Sequence, residues 1–134
     1  MLIVKDVLTR KVITASLDTP VREICGMMQD KKIGSVFITD ANGEMVGILT
    51  ESDVVRKVVA SDRVPYVTKA SEVMSSPLIS IGIEESVYRA QELMDEKRVL
   101  HLAVKEESKI VGMVSIRDLI HPYEHFEQGG KSWV

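Results

Sequence analysis

Gly47-Ile-Leu-Thr50-Glu-Ser-Asp53-Val-Val returns further along the chain as Gly112-Met-Val-Ser115-Ile-Arg-Asp118-Leu-Ile. Gly47, Thr50 and Asp53 each recur 65 positions later, as Gly112, Ser115 and Asp118. Upstream, Val21, Ile24 and Met28 are echoed 66 positions on by Val87, Ala90 and Met94. A one-residue difference in the turn near Asn42-Gly43 accounts for the changed offset. Two copies are too few for a solenoid, so the duplication predicts a closed pair packed about a pseudo-two-fold axis.

Working outward, each copy supplies the same order of elements. Lys11 to Ala15 reads as a short strand, followed by Asp18-Thr19-Pro20, a helix cap with proline just inside. Val21, Ile24, Cys25 and Met28 then lie at helical spacing. Ser35 to Thr39 has the composition of a buried strand, Asn42-Gly43 is a turn signal, and Met45 to Leu49 is the returning strand. A second helix is predicted near Thr50, carrying Val54, Val55, Val58 and Val59. The second copy runs through Leu78 to Ile81, a helix with Val87, Ala90, Leu93 and Met94, strands at Leu100 to Val104 and Ile110 to Val114, and a helix from Ser115. Ser71 to Met74 is expected as a turn of helix before the second copy, matching Val7 and Leu8 before the first. The expected domains are residues 6–60, a linker at 61–72 containing Pro65, residues 73–121, and a tail at 122–134. The fold class is α/β (α+β), and neither half of some 60 residues hides its apolar surface alone.

The repeated hydroxyl and carboxylate carry two readings. A hydroxyl at the strand-to-helix junction with an acid three residues later is the spacing of a capping box, which stabilises by about 0.5–2 kcal/mol. The same junction presents backbone N–H groups to an anion, the hydroxyl can donate to phosphate, and the acid can accept from a pair of ribose hydroxyls. The sequence alone leaves both open.

Val12-Ile-Thr14, Met28 with Ile33-Gly34, Ser35-Val-Phe-Ile38, Gly47-Ile-Leu-Thr50-Glu-Ser-Asp53 and their counterparts resemble a tandem CBS-domain pair, or Bateman module, over roughly residues 6–121. The resemblance implies two β-α-β-β-α repeats and two clefts for an adenosine nucleotide such as AMP, ADP or ATP, with S-adenosylmethionine an alternative ligand. It implies a regulatory module with no required cofactor, acting on a partner protein. Carried over, Asp53 and Asp118 would hold ribose hydroxyls, and Thr50 and Ser115 would reach phosphate. Thr14 and Ile79 to Ser80 would lie along the adenine edge, beside Ile13 and Ile81, and His101 is the phosphate candidate where the first copy has Ser35. Relatives often carry proline where this chain has Phe37 and Ala103, so unequal sites are expected, with the Asp118 and His101 cleft the better equipped. The alternative is a non-binding scaffold or oligomerisation module whose repeated motifs only cap helices.

Composition narrows the field further. Hydrophobic residues make up 45% and charged residues 28%, the balance of a folded core, while aromatics at 4% leave no stacking platform for bases. A net charge of -3 offers nucleic acid no long-range attraction. No Walker-type or Rossmann glycine loop and no acid/base pair is present, so no catalytic residue is assigned. Cys25 belongs to an apolar helix face, and His121 and His125, with Pro122 between them, make weak metal evidence. Arg56, Lys57 and Arg63 form a basic cluster that reads either as solvated surface or as phosphate contact. No apolar run approaches the roughly 20 residues of a spanning helix, and the start does not read as a signal peptide. A cytoplasmic homodimer is expected, with tail residues Tyr123, Phe126 and Trp133 candidate anchors.

Overall fold

Alternating side chains give each half of the chain a small sheet with an apolar face, and the computed structural model shows what packs on that face. Residues 1–122 are described. The tail aromatics and His125 lie outside the described residues, as do the expectations that rest on them. Element order is α1 (Val4–Val7), β1 (Thr14–Ser16), α2 (Val21–Lys31), β2 (Ser35–Thr39), β3 (Met45–Thr50), α3 (Glu51–Asp53) running into a π-wound stretch (Val54–Val59), α4 (Ala70–Val73), β4 (Ser80–Gly82), α5 (Val87–Lys97), β5 (His101–Glu106), β6 (Lys109–Ser115) and α6 (Ile116–Ile120). The two sheets have the orders β1-β2-β3 and β4-β5-β6, each with one parallel and one antiparallel pairing.

The chain divides into two units. Among the described residues one is contiguous, Ile13–Leu78, and is called here the Asp53 unit; the other joins Met1–Val12 to residues 79–122 and is called the Asp118 unit. The short helix before each repeat thus belongs to the unit built from the other repeat. In the Asp118 unit, Val4 and Lys5 N–H donate to the carbonyls of Glu85 and Ile83, and Thr9 exchanges backbone hydrogen bonds with Met113. In the Asp53 unit, Ala70 and Ser71 N–H donate to Thr19 and Leu17, and Ser75 exchanges bonds with Ile48. Sequence proximity suggested the opposite assignment for Ser71 to Met74, because contacts formed across tens of residues leave no local signal.

Each unit has its own core. Val21, Ile24, Met28, Val36, Ile38, Leu49, Val58, Ala70 and Val73 pack together in the Asp53 unit. Val4, Val7, Ile81, Ala90, Met94, Leu102, Val104 and Val114 do so in the Asp118 unit. The helix faces read from spacing are the buried ones: Val21, Ile24 and Met28 on α2, Ala90 and Met94 on α5. Both helices stop at a left-handed residue, Lys32 and Arg98, with φ of 53° and 55°. The offset between the copies arises in the β-hairpins, as expected. Thr39 pairs with Met45 across a loop in which Asp40 Oδ1 accepts from the N–H groups of Asn42 and Glu44. Lys105 instead pairs with Ile110, and the turn is closed by Glu107 and Ser108, both at positive φ. Two consecutive left-handed residues give the tight twist-matched hairpin, which is one residue shorter.

Three local expectations shift. β1 begins at Thr14 rather than Lys11. The residue that enters α2 is Pro20, with no side-chain cap; the Thr19 hydroxyl is turned to Ser16, accepting from its N–H at 3.1 Å. Ser86 in the second copy does cap α5, accepting from Arg89 N–H at 3.1 Å. The helix after Thr50 widens into a π-wound stretch, where Ala60 N–H reaches Val55 O, five residues back. Of its valines only Val58 is fully buried, while Val55 and Val59 are 59% and 64% exposed.

Candidate functional site

Period-two alternation sorts each strand into two faces. On β2 and β3 the residues Val36, Ile38 and Leu49 face the unit's own core, so Ser35, Phe37, Ile48 and Thr50 share the opposite face. Thr14 pairs with Phe37 and joins them. Ser35 lies directly opposite Thr50. The Asp118 unit repeats the arrangement: His101 lies opposite Ser115, and Ser80 pairs with Ala103. Of the residues singled out from sequence, Thr14 and Thr50 share this face in one repeat and Ser80, His101 and Ser115 in the other, whereas Ile79 packs against the core of its own unit. Phe37 is 1% exposed and has no part in the unit's own core cluster, which suits its place on that opposite face.

β1 and β4 are edge strands, and their parallel ladders decide which backbone groups point outward. Ile13 O accepts from Phe37 N–H, and Ile79 O accepts from Ala103 N–H, each at 2.9 Å. In a parallel ladder alternate residues of one strand make the bonds. The amide and carbonyl of Thr14, and of Ser80, are therefore directed away from β2 and β5. An edge of this kind offers one donor and one acceptor in line, the pattern that reads the rim of a flat heterocycle.

Both capping boxes form. Thr50 Oγ1 accepts from Asp53 N–H at 3.2 Å, and Asp53 Oδ2 accepts from Thr50 N–H at 3.0 Å and from its hydroxyl at 3.1 Å. Ser115 Oγ accepts from Asp118 N–H at 3.3 Å, and Asp118 Oδ2 accepts from Ser115 N–H at 2.7 Å and from its hydroxyl at 3.1 Å. One carboxylate oxygen thus holds the cap in both units, and the other is directed elsewhere.

That second oxygen marks where the copies part. Asp53 is buried, 6% exposed, and its Oδ1 accepts from the Lys57 ammonium at 2.9 Å and the Ser75 hydroxyl at 2.9 Å. Lys57 Nζ also lies 3.4 Å from Ser75 Oγ. Glu51 stands over the start of β2, its carboxylate Oε1 3.3 Å from where a Cβ on Gly34 would be. The corresponding residues of the Asp118 unit are Pro122 for Lys57, Ile116 for Glu51, Leu100 for Gly34 and Arg117 for Ser52. Thr9, bonded to Met113 as Ser75 is to Ile48, stands where Ser75 does. Asp118 is half-buried, as are Arg117 and His101. Sequence reasoning passed over Ser75 and Arg117. Arg117 was readable, since it occupies the variable position inside the repeated motif; Ser75 was not, since only the fold brings it to Asp53.

The basic cluster also resolves into pairs. Lys57 binds Asp53, and Arg63 Nη2 binds Glu72 Oε1 at 2.8 Å. The Lys69 N–H and, after it, the Arg63 guanidinium hold the Glu72 carboxyl below the usual range. Burial pushes the Cys25 thiol up, against a smaller opposing pull from Arg22. Among the described residues no group of three or more His, Cys, Asp or Glu side chains is placed to hold a metal ion.

Paired repeats of sheet and helix, each with a hydroxyl–carboxylate box on the face opposite its core, define a class of duplicated module, and the comparisons with known proteins give the family. The CBS domain model matches residues 4–60 and 70–124, and the chain belongs to that family. Members are generally regulatory or sensor modules rather than catalysts. The chain is 30% identical to the CBS domain-containing protein YhcV of Bacillus subtilis, over 87% of this chain and 81% of that one. It is 35% identical to a protein of Methanopyrus kandleri over 90% of this chain, but spans only 63% of that protein's length. Against CBSX3, a mitochondrial protein of Arabidopsis thaliana, it spans 57% of the relative's length. A putative signal-transduction protein with CBS domains from Burkholderia ambifaria superposes with a TM-score of 0.81 at 30% identity, covering 89% of this chain and 87% of that one. No described helix is long and apolar enough to cross a membrane.

Proposed function

We propose that the chain is a sensor module that binds an adenosine nucleotide, AMP, ADP or ATP, and in doing so alters how it docks on a partner protein. The observation that carries this reading is the shared sheet face on which His101 stands opposite Ser115 and its Asp118 box, with the outward backbone edge of Ser80 two strands away. Asp118 accepts the ribose hydroxyls, Ser115 and His101 contact phosphate, and Ile79 and Ser80 read the adenine edge. Thr14, Thr50 and Asp53 are the matching set in the other repeat. Support from outside the chain comes from a CBS domain pair solved in complex with 5′-methylthioadenosine and S-adenosylmethionine, whose fold this chain shares with a TM-score of 0.80 at 24% identity.

The module works in the cytoplasm as a homodimer. Val55 and Val59 stand 59% and 64% exposed, and Ile120, the counterpart of Val55 in the second copy, is 64% exposed. Apolar side chains repeated at one helical position on both copies are suited to covering by a second chain. Calorimetry of ligand-free protein with AMP, ADP, ATP and S-adenosylmethionine tests the binding, and is expected to give heat with at least one adenosine phosphate. No heat from any of the four would favour the scaffold reading, in which the two boxes only cap helices.

A further inference from the structure

We infer that Asn42 is a site of spontaneous covalent modification, losing its side-chain amide through attack by the backbone nitrogen of Gly43, and that the Asp40 carboxylate slows the reaction by holding the loop shut. The site is the tip of the β2–β3 hairpin, at the opposite end of these strands from Thr50. Asn42 is the only asparagine in the chain, and a glycine follows it. With no side chain on Gly43, its amide nitrogen stays within reach of an asparagine that folds back on it. Ala41, Asn42, Gly43 and Glu44 are all exposed. Gly43 stands at φ 78°, and a Cβ there would meet nothing within 4 Å, so the tip has room for the ring that the reaction forms.

The step balances with water as its only co-reactant. The Gly43 nitrogen gives up its proton and bonds to Asn42 Cγ, the Cγ–Nδ2 bond breaks, and ammonia leaves carrying that proton. A cyclic imide results. Water then opens either of the bonds that join the imide nitrogen to a carbonyl carbon. Opening at Cγ leaves aspartate on an unaltered backbone. Opening at the main-chain carbon leaves isoaspartate, in which the backbone runs through Cγ and is one carbon longer.

The closed loop resists that attack. Gly43 N–H donates to Asp40 O at 3.0 Å, so the attacking nitrogen is already engaged. Asp40 Oδ1 accepts from Asn42 N–H at 2.9 Å and from Glu44 N–H at 3.0 Å, one on either side of that nitrogen. Asp40 N–H donates in turn to Glu44 O at 2.9 Å. The reaction therefore proceeds from the locally opened loop, whose population these bonds keep small. The same bonds make the product hard to accommodate. Isoaspartate lengthens the path between the two N–H groups that share Asp40 Oδ1, and either product sets a new carboxylate near Asp40 and Glu44. The β5–β6 turn carries Glu107 and Ser108 and no asparagine, so this ageing is confined to one hairpin.

Incubation of the full chain at mildly alkaline pH, followed by peptide mapping by mass spectrometry and labelling with isoaspartyl methyltransferase, measures the conversion. The folded chain is expected to accumulate isoaspartate at position 42, more slowly than the same chain unfolded in urea. Folded Asp40→Ala should convert about fivefold faster than the unsubstituted folded chain, the factor given by one net hydrogen bond taken from the closed loop. In urea the two chains should convert at the same rate, which separates the brake from any effect of the neighbouring side chain on the chemistry itself. Circular dichroism reports whether Asp40→Ala keeps the fold; if it does not, the comparison of folded and unfolded unsubstituted chain alone decides. Three outcomes overturn the inference: a folded chain that stays unconverted at position 42 while the unfolded chain converts, equal rates folded and unfolded, or folded Asp40→Ala converting no faster than the unsubstituted chain.

Discussion

The Asp53 and Asp118 boxes share a backbone, a cap and a register, yet differ in what their carboxylates hold. Buried Asp53 ties Thr50, Lys57 and Ser75 together, while Asp118 sits half-buried beside Arg117 on the helix that follows Ser115, the strand partner of His101. Duplication supplied two copies of one device. Changes at a few flanking positions gave Asp53 Lys57 and Ser75 as partners and gave Asp118 a different set of neighbours. The lesson is that a repeated motif sets where a carboxylate stands, whereas its neighbours set how deeply it is buried and what it holds besides the cap.

Glycine substitutions give the sharpest contrast between the units. A Cβ on Gly112 would run into the carbonyl oxygen of Thr9, which is backbone and is fixed by its exchange of hydrogen bonds with Met113. A Cβ on Gly47 would meet the Met74 sulfur first, at 2.5 Å, and a thioether can move aside, although the Ser75 carbonyl is 3.1 Å away. Gly112→Ala is therefore expected to cost about 3 kcal/mol and Gly47→Ala about 1 kcal/mol, read by urea denaturation. Similar losses at the two sites would break the contrast.

Carboxylate removal comes next in size. Asp118→Ala loses a cap, about 1 kcal/mol. Asp53→Ala loses the cap and also the buried anchor for Ser75 and Lys57, so about 2 kcal/mol is expected, discounted because Lys57 itself remains partly in water. The measurement is the difference between the two denaturation midpoints. A larger loss at Asp118 would reverse the contrast drawn above.

The smallest effect is confined to the Asp53 unit. Glu72 is held below its usual range first by the Lys69 N–H, then by Arg63. A carboxyl depressed in the folded state binds its proton more readily when unfolded, so its contribution is present above the unfolded value and is lost as pH falls through the depressed folded one. Glu72→Gln should therefore flatten the acid side of the stability profile slightly, with no change near neutrality in its slope. Glu72 is exposed and salt screens it, so the difference should shrink in high salt. An acid limb identical to that of the unsubstituted chain would remove Glu72 from the account.

Much of the architecture was legible in the residues. The strand Ser35–Thr39 declared itself by the unbroken β-branched and aromatic run of Val36 to Thr39, the two boxes by their hydroxyl-to-acid spacing, and the shorter second hairpin by the changed repeat offset. Those signals are local, and local signals survive in sequence. Pro20 misled because the Thr19 hydroxyl found a turn partner in Ser16 before it could cap the helix. The π-wound stretch was invisible, since a run of valines fits either winding and its backbone pairing is settled only by packing. Ser75 lies 22 residues from the carboxylate it binds, so that hydrogen bond could be seen only once the chain was folded.

The placement of α1 has a consequence for the order in which the molecule is made. The Asp53 unit is contiguous, Ile13–Leu78, and all its parts have left the ribosome once residue 78 is clear. The first twelve residues emerge earlier still but belong to the other unit, and Thr9 has no bonding partner until Met113 is synthesised. During synthesis residues 1–12 thus wait for partners that lie at Ile79 and beyond, with Val4 and Val7 still in water after every residue from Ile13 to Leu78 has been made.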